Sequence, residues 1–341
     1  MENQINPINK LKILSCYKEI KQAIKGNIPV PRTAEFFVSD SCNHKCKGCH
    51  SSMLHKMKKP FLDIKKSKQI LNELSHMGVE SIEISGGGES LLHPHILEFI
   101  EHCYKCNFEV GLITNGSLIT KKMLPTLNKL LFIRIAMDAA TLKTYKKVHG
   151  VGDFFKIIEN TKMVVDYKKK HHGKVTIGLK YLVSQFNDHE ILEATNIAKK
   201  LNVDYIQFKP LRNSSNALKM INHIKSPLIQ SKKLATDDFQ VLGGFGKSSI
   251  SKRCILNILH PVIDASGKVY LCAFWQFRAK THCIGDIYKQ SFKEIWYGER
   301  HREAYLNTDY NQCNIFDCPF HSANYIVEEA IIKDKMHLEF I

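Results

Sequence analysis

Between residues 35 and 210, short apolar runs rich in β-branched residues alternate with longer stretches whose apolar positions return every three or four residues. The runs at 35–38, 81–85, 108–114, 131–137, 175–183 and 205–209 read as strands. The stretches at 64–77, 94–105, 118–128, 152–168 and 188–201 read as helices. Strand and helix in alternation, joined by right-handed crossovers, predict an α/β fold with a parallel sheet, doubly wound or curved into a partial barrel.

Ahead of this region Leu11, Ile13, Leu14, Tyr17, Ile20 and Ile24 keep helical spacing until Pro29-Val30-Pro31 stops them. After it the alternation is lost. Ser214-Ser215, Ser231-Lys232-Lys233 and the glycine- and serine-rich run from Gly243 to Ser249 predict an irregular connector. Beyond Cys254, Val262-Ile263-Asp264, the turn Ala265-Ser266-Gly267 and the run Lys268 to Cys272 read as a hairpin, followed by a helix through Phe292, Ile295 and Trp296. The expected division is a helical lead-in over 1–33, a core domain over 34–210, the connector over 211–253 and a C-terminal module with a final helix over 254–341.

No run of eighteen apolar residues occurs, and Met1-Glu2-Asn3-Gln4-Ile5-Asn6 does not open a signal peptide. The expectation is a soluble cytoplasmic protein without a membrane partner. Eleven cysteines, an odd number and mostly clustered, suit metal ligation in a reducing compartment better than a disulfide framework. The net charge of +16 comes largely from scattered lysines. It fits a solvated surface or an acidic partner; without arginines interleaved with aromatics, nucleic acid is not the expected one.

The candidate chemistry starts in Ser41-Cys42-Asn43-His44-Lys45-Cys46-Lys47-Gly48-Cys49-His50. Cys42, Cys46 and Cys49 are close enough to bind one metal centre, yet one ligand short of a closed site. Zinc completed by His44 or His50 is the competing reading, but the first spacing of three is unusual for it. On the predicted scaffold these thiols follow the first strand, Gly86-Gly87-Gly88-Glu89 follows the second and Asn115-Gly116 the third. Asp138 closes the fourth and Lys209 ends the sixth. All crowd the carboxyl-end face, where parallel α/β folds place their active sites. Taken singly, the glycine run reads as a turn, and Asn115 and Asp138 as helix caps. Cys16, Cys103 and Cys106 read as buried helix residues. Cys254, Cys272, Cys313 and Cys318 form a second four-thiol set, with Cys283 to spare.

With both sets in view, the chain resembles the radical S-adenosylmethionine (SAM) enzymes, and its C-terminus resembles their twitch or SPASM auxiliary-cluster module. The resemblance spans about residues 34–320 and rests on Cys-x3-Cys-x2-Cys, the Gly-Gly-Glu after strand two, and Cys-x12-Gly-x4-Cys opening the C-terminal module. It implies a partial (β/α)6 barrel of parallel strands with a small C-terminal iron–sulfur module. It implies that Cys42, Cys46 and Cys49 hold a 4Fe-4S cluster that binds SAM, and that Gly87, Gly88 and Glu89 contact its methionine amine. Asn115, Asp138 and Lys180 fall where the family often places further SAM contacts. A second, auxiliary 4Fe-4S cluster is implied on Cys254, Cys272, Cys313 and Cys318, in the shorter twitch form because the seven cysteines of a full SPASM module are not present. Ser90, Ala136 and Gly48 depart from common family residues.

The activity implied is reductive cleavage of SAM to a 5'-deoxyadenosyl radical that abstracts hydrogen from a substrate. The leading reading is an oxidoreductase acting on a small hydroxylated molecule such as a cyclitol, sugar or nucleotide sugar. Acidic or phosphorylated kinds suit the basic chain, Lys209 and Arg212 are candidate substrate contacts, and flavodoxin or ferredoxin is the implied electron donor. The alternative is a radical SAM maturase that modifies a peptide or protein, although the lead-in is too short for a fused leader-binding domain. A remote alternative, a non-catalytic zinc and nucleic-acid-binding protein, gives no reason for Glu89 and Asn115 to share a face with the thiols.

Overall fold

A computed structural model of the chain describes residues 10–52, 54–56, 61–211, 217–243, 254–273, 278–309, 318 and 320–333. Its frame is one ten-stranded sheet. The strands are β1 Thr33–Phe37, β2 Ser81–Ser85, β3 Glu109–Thr114, β4 Phe132–Ala136, β5 Thr176–Val183, β6 Tyr205–Pro210, β7 Gln240–Leu242, β8 Val262–Ile263, β9 Lys268–Tyr270 and β10 Cys283–Asp286. Strands β1 to β7 lie in chain order, each parallel to the next, β7 being added to the six expected.

Side chains alternate across these strands. Ile82, Ile84, Val110, Leu112, Ile133, Ile135, Ile177 and Leu179 are buried in the main apolar core. The opposite face carries Glu35, Glu83, Arg134 and Tyr205. On that face burial raises the proton affinity of Glu83 on β2, and the Lys209 ammonium on β6, four strands away, is close enough to oppose it. In a flat sheet the two would stand about 19 Å apart. The sheet therefore curls, as a partial barrel requires.

Helices fill the crossovers: Ile64–Met77, Ile96–Lys105, Leu124–Leu127, Leu142–His149, Phe154–Lys170, Ile191–Lys200 and Ala217–Lys232. Asp63 caps the first, its side chain accepting from Lys66 N at 2.7 Å, and Gly78 ends it at φ +91°. Two findings correct the sequence reading. Asp138 is not a helix cap: Thr141 caps Leu142–His149, a helix absent from the sequence reading. The connector is not irregular where it is described, for it holds helix Ala217–Lys232 and strand β7. Ile224, Leu228 and Ser231 are buried on that helix, and the Pro227 inside it masked the pattern.

The C-terminal part continues the sheet. β8 pairs in parallel with the free edge of β1, and β9 and β10 follow antiparallel. Trp296 Nε1 donates to Pro29 O at 2.8 Å, and Phe292 N donates to Glu73 Oε2 at 2.6 Å, so helix Phe292–Tyr297 is fastened to both lead-in and core. No described helix is long and apolar enough to cross a membrane.

Candidate active site

The loop that carries the first thiols is clamped from two sides. On one, Gly88 N donates to Ser39 O and Glu89 N to Ser41 O, both at 2.8 Å. A side-chain carbon on Gly88 would overlap the Ser41 carbonyl, so only glycine lets these two backbones meet. On the other, Lys45 N donates to His149 O at 2.9 Å and Lys47 N to Val148 O at 2.8 Å. These are carbonyls that the end of helix Leu142–His149 leaves without a helical partner. Gly150, at φ +70°, lets the helix stop there, and its bare Cα leaves room for the Lys45 carbonyl.

Within this loop the three thiols are half-buried and feel one another. Burial pushes Cys42 up to about 11, against the His44 N–H that donates to its Sγ at 3.4 Å. Burial raises Cys46 as well, with further pushes from Asp138, Cys42 and Cys49. Cys49 is also raised by burial, and Lys180 on β5 opposes the shift at both Cys46 and Cys49. Three converging thiols, in a place that penalises free thiolates, fit a cation that takes soft ligands and neutralises them. His44, Cys46 and His149 also bring ligand atoms within 4.8 Å of one another. That set leaves out Cys42 and Cys49. Its His149 Nε2 is turned to Met137 O at 3.1 Å and its His44 Nε2 to Asp153 Oδ2 at 3.3 Å.

The polar candidates form one network beside the thiols. Glu89, 3% exposed, accepts from Leu91 N at 3.0 Å and Thr114 Oγ1 at 2.6 Å on Oε1, and from Asn115 N at 2.7 Å on Oε2. Burial raises its proton affinity and these three bonds lower it. Asn115 Nδ2 donates to Asn43 Oδ1 at 2.9 Å, and its Oδ1 accepts from Ser117 N at 2.9 Å and Ser117 Oγ at 2.8 Å. Glu89 therefore orients Asn115, and Asn115 holds the cysteine loop through Asn43. Asp138, in the left-handed region at φ +49°, accepts from Leu182 N at 2.6 Å on Oδ1 and stands 3.6 Å from His149 Nε2 through Oδ2.

The second thiol set converges too. Burial raises Cys254, and the charges of Cys318 and Cys272 raise it further. Asn324 Nδ2 donates to its Sγ at 3.4 Å. Cys283 sits on β10, its thiol 3.6 Å from Gly285 O. Cys313 and Arg212 lie outside the described residues. The sequence reading missed Asn43, Ser117 and His149. For His149 a signal existed, the Thr141 cap and Gly150 stop that bracket its helix.

Residues 36–202 match the radical SAM superfamily and residues 254–319 match SPASM, an iron-sulfur cluster-binding domain. The chain belongs to the radical SAM superfamily and carries a SPASM domain. These domains imply a 4Fe-4S cluster, SAM and a second, auxiliary cluster. Among relatives, the antilisterial bacteriocin subtilosin biosynthesis protein AlbA of Bacillus subtilis is 22% identical over 80% of this chain and 60% of its own length. The AdoMet-dependent heme synthase of Methanosarcina barkeri is 22% identical over 78% of this chain and 82% of its own. The structure of Streptococcus suis SuiB bound to precursor peptide SuiA superposes with a TM-score of 0.66 at 17% identity, over 90% of this chain and 73% of that one. The chain thus spans less than two thirds of the length of AlbA.

Proposed function

We propose that this chain is a radical SAM enzyme that modifies a peptide or protein, with Cys42, Cys46 and Cys49 binding the SAM cluster. Cys254, Cys272, Cys313 and Cys318 are assigned to the auxiliary one. The observation that carries the substrate class is the AlbA match, which runs over 283 residues and belongs to a bacteriocin biosynthesis protein. The fold shared with peptide-bound SuiB is consistent with it. This favours the alternative of the sequence reading over the oxidation of a small hydroxylated molecule.

The cluster and SAM, when bound, supply a carbon-centred radical able to take hydrogen from an unactivated position. The chain supplies placement. Gly87 and Gly88 let the loop after β2 lie against the cysteine loop, and Glu89 fixes Asn115 beside it. Lys180 offers a positive charge next to Cys46 and Cys49, suited to a carboxylate. Curling of the sheet brings Glu83, Arg134 and Lys209 to its concave face, a polar wall for a substrate backbone. A cytoplasmic setting, which keeps thiols reduced, and a flavodoxin or ferredoxin as reductant belong to the same proposal.

The test is reconstitution under anaerobic conditions with SAM, a reductant and short peptides encoded beside the gene. Release of 5'-deoxyadenosine that depends on one peptide, with a mass change in that peptide, is the expected result. Release stimulated by sugars or cyclitols and by no peptide would restore the small-molecule reading.

A further inference from the structure

The lysines of this chain gather beside the first thiol set. Lys45 and Lys47 flank Cys46 and are exposed, and Lys143, Lys146 and Lys147 are exposed on helix Leu142–His149. Spacings of three and four put these last three on one face. The two segments are joined, for Lys45 N and Lys47 N donate to carbonyls at the end of that helix, and the Lys45 side chain starts beside Gly150. Lys47 Nζ and Lys147 Nζ both stand over the ring of Phe186, at 5.2 Å and 4.9 Å from its centroid.

None of the five enters an ion pair among the described residues, whereas Lys68, Lys129, Lys168 and Lys268 each do. The carboxylates that follow in the chain are engaged: Asp153 faces His44 at 3.3 Å, Asp188 faces His223 at 3.1 Å, and Glu190 accepts from Ala140 N and the hydroxyls of Thr141 and Thr144. Five ammonium groups without counter-charges repel one another, and an anionic surface laid over them relieves that repulsion.

The position of this face says which anionic surface. The cysteine loop lies across the carboxyl ends of the strands, meeting Gly88 after β2, the end of helix Leu142–His149 after β4, and Leu211, which packs on Gly48, after β6. Its inner side looks into the concave sheet with Glu83, Arg134 and Lys209, and its outer side carries the lysines. We infer that this basic outer face is the docking site of the electron donor, a small acidic carrier protein of the flavodoxin or ferredoxin class. In each encounter one electron leaves the carrier, which is oxidised, and reduces the cluster behind the loop; no atom is transferred. A substrate has to reach the inner side, so the two routes do not compete. The inference rests on Cys42, Cys46 and Cys49 as cluster ligands and is independent of the substrate class.

The experiment uses the full chain with its clusters reconstituted anaerobically, and the probes are an acidic flavodoxin and an acidic ferredoxin. The face variant is Lys45→Gln with Lys47→Gln and Lys147→Gln. The control, Lys121→Gln with Lys122→Gln and Lys170→Gln, removes equal charge elsewhere: Lys170 ends helix Phe154–Lys170, about 24 Å from its start. Calorimetry at low salt should show the carrier's Kd raised about tenfold in the face variant, or about 1.4 kcal/mol, and little changed in the control. The difference should vanish at about 1 M salt, where screening acts within about 3 Å. Reduction by the carrier should slow in step, while iron content and SAM cleavage driven by dithionite stay at the wild-type level.

Equal affinities in the face and control variants overturn the proposal, whether both match the wild type or both fall. So does a wild type that binds neither carrier, or an acidic peptide that loses affinity in the face variant while both carriers bind as before. Should the face variant take up less iron, Lys143→Gln with Lys146→Gln and Lys147→Gln leaves the cysteine loop intact and is read in the same way. Failure of the cluster assignment looks different: under dithionite the wild type would then show no paramagnetic signal that responds to SAM.

Discussion

His260 Nε2 stands 3.2 Å from Glu35 Oε2, across the seam where β8 joins β1. Glu35 also accepts from Ser85 Oγ, and its charge raises the proton affinity of Glu83 on the next strand. The same seam joins the region matched by the radical SAM superfamily to the region matched by SPASM. A buried ion pair is thus part of what holds the C-terminal hairpin on the sheet edge.

That pair predicts both a cost and a pH dependence. The two side chains are 15% and 9% exposed, so His260→Ala leaves a buried carboxylate without its partner. Breaking such a pair from one side costs about 3 kcal/mol, read as a lower urea midpoint. Burial lowers the proton affinity of His260, but the bond and charge of Glu35 win and the folded-state value is raised. Folding then takes up a proton, so the contribution is whole below about pH 6.5 and is lost as pH rises through the raised value. The midpoint gap between wild type and His260→Gln should narrow from about pH 5.5 to about pH 9. A gap constant across that range would show that the pair carries no proton-linked stability.

The two glycines of the loop after β2 should respond differently to alanine. At Gly88 the new carbon meets the Ser41 backbone carbonyl, which cannot yield without moving the cysteine loop. At Gly87 it meets the side chains of Asp40 and Leu54, which can turn. Overpacking against backbone places Gly88→Ala at about 3 kcal/mol and Gly87→Ala nearer about 1 kcal/mol. Urea midpoints and iron uptake measure both. Equal costs would mean that Gly88 is free to shift.

The core of this architecture was legible because its signals are local. Ile82/Ile84, Ile133/Ile135 and Ile177/Leu179 alternate with lumen-facing residues, and a run of two-residue period reads as a strand from sequence alone. The thiols and Gly-Gly-Glu were legible as spacing. What was not legible depends on distant partners. β8 is two residues long and gains its place only by pairing with β1, more than two hundred residues earlier in the chain. Asp138 looked like a cap because acidic residues after strands often are; here a positive φ aims its carboxylate at Leu182 N instead. His149 ends a lysine-rich helix whose spacing reads as an exposed face, and only the docked cysteine loop gives it a task.

Asn115 links the family motif to the thiol loop, which sets a third expectation. Asn115→Ala leaves Asn43 Oδ1 and the Ser117 N–H and hydroxyl without their present partner. Unpaired buried polar groups cost about 1–3 kcal/mol together with local disorder. SAM affinity, measured by calorimetry on the reconstituted protein, should fall about tenfold, or about 1.4 kcal/mol. Unchanged SAM affinity with intact iron would assign Asn115 to the fold alone.

The two thiol sets can be separated by counting metal. Cys42, Cys46 and Cys49 interact electrostatically within the first set, and Cys272 and Cys318 both act on Cys254 in the second. Two independent four-iron clusters predict about eight irons per reconstituted chain. Replacing Cys42, Cys46 and Cys49 by alanine should leave about four and abolish SAM cleavage. Replacing Cys254 and Cys272 should also leave about four, yet keep the SAM-responsive signal. A wild type with about four irons would remove the auxiliary cluster and with it the acceptor for a net oxidation of the substrate. Zinc in place of iron would instead point to His44, Cys46 and His149 as the ligands, and a variant lacking Cys42 and Cys49 would then bind it undiminished.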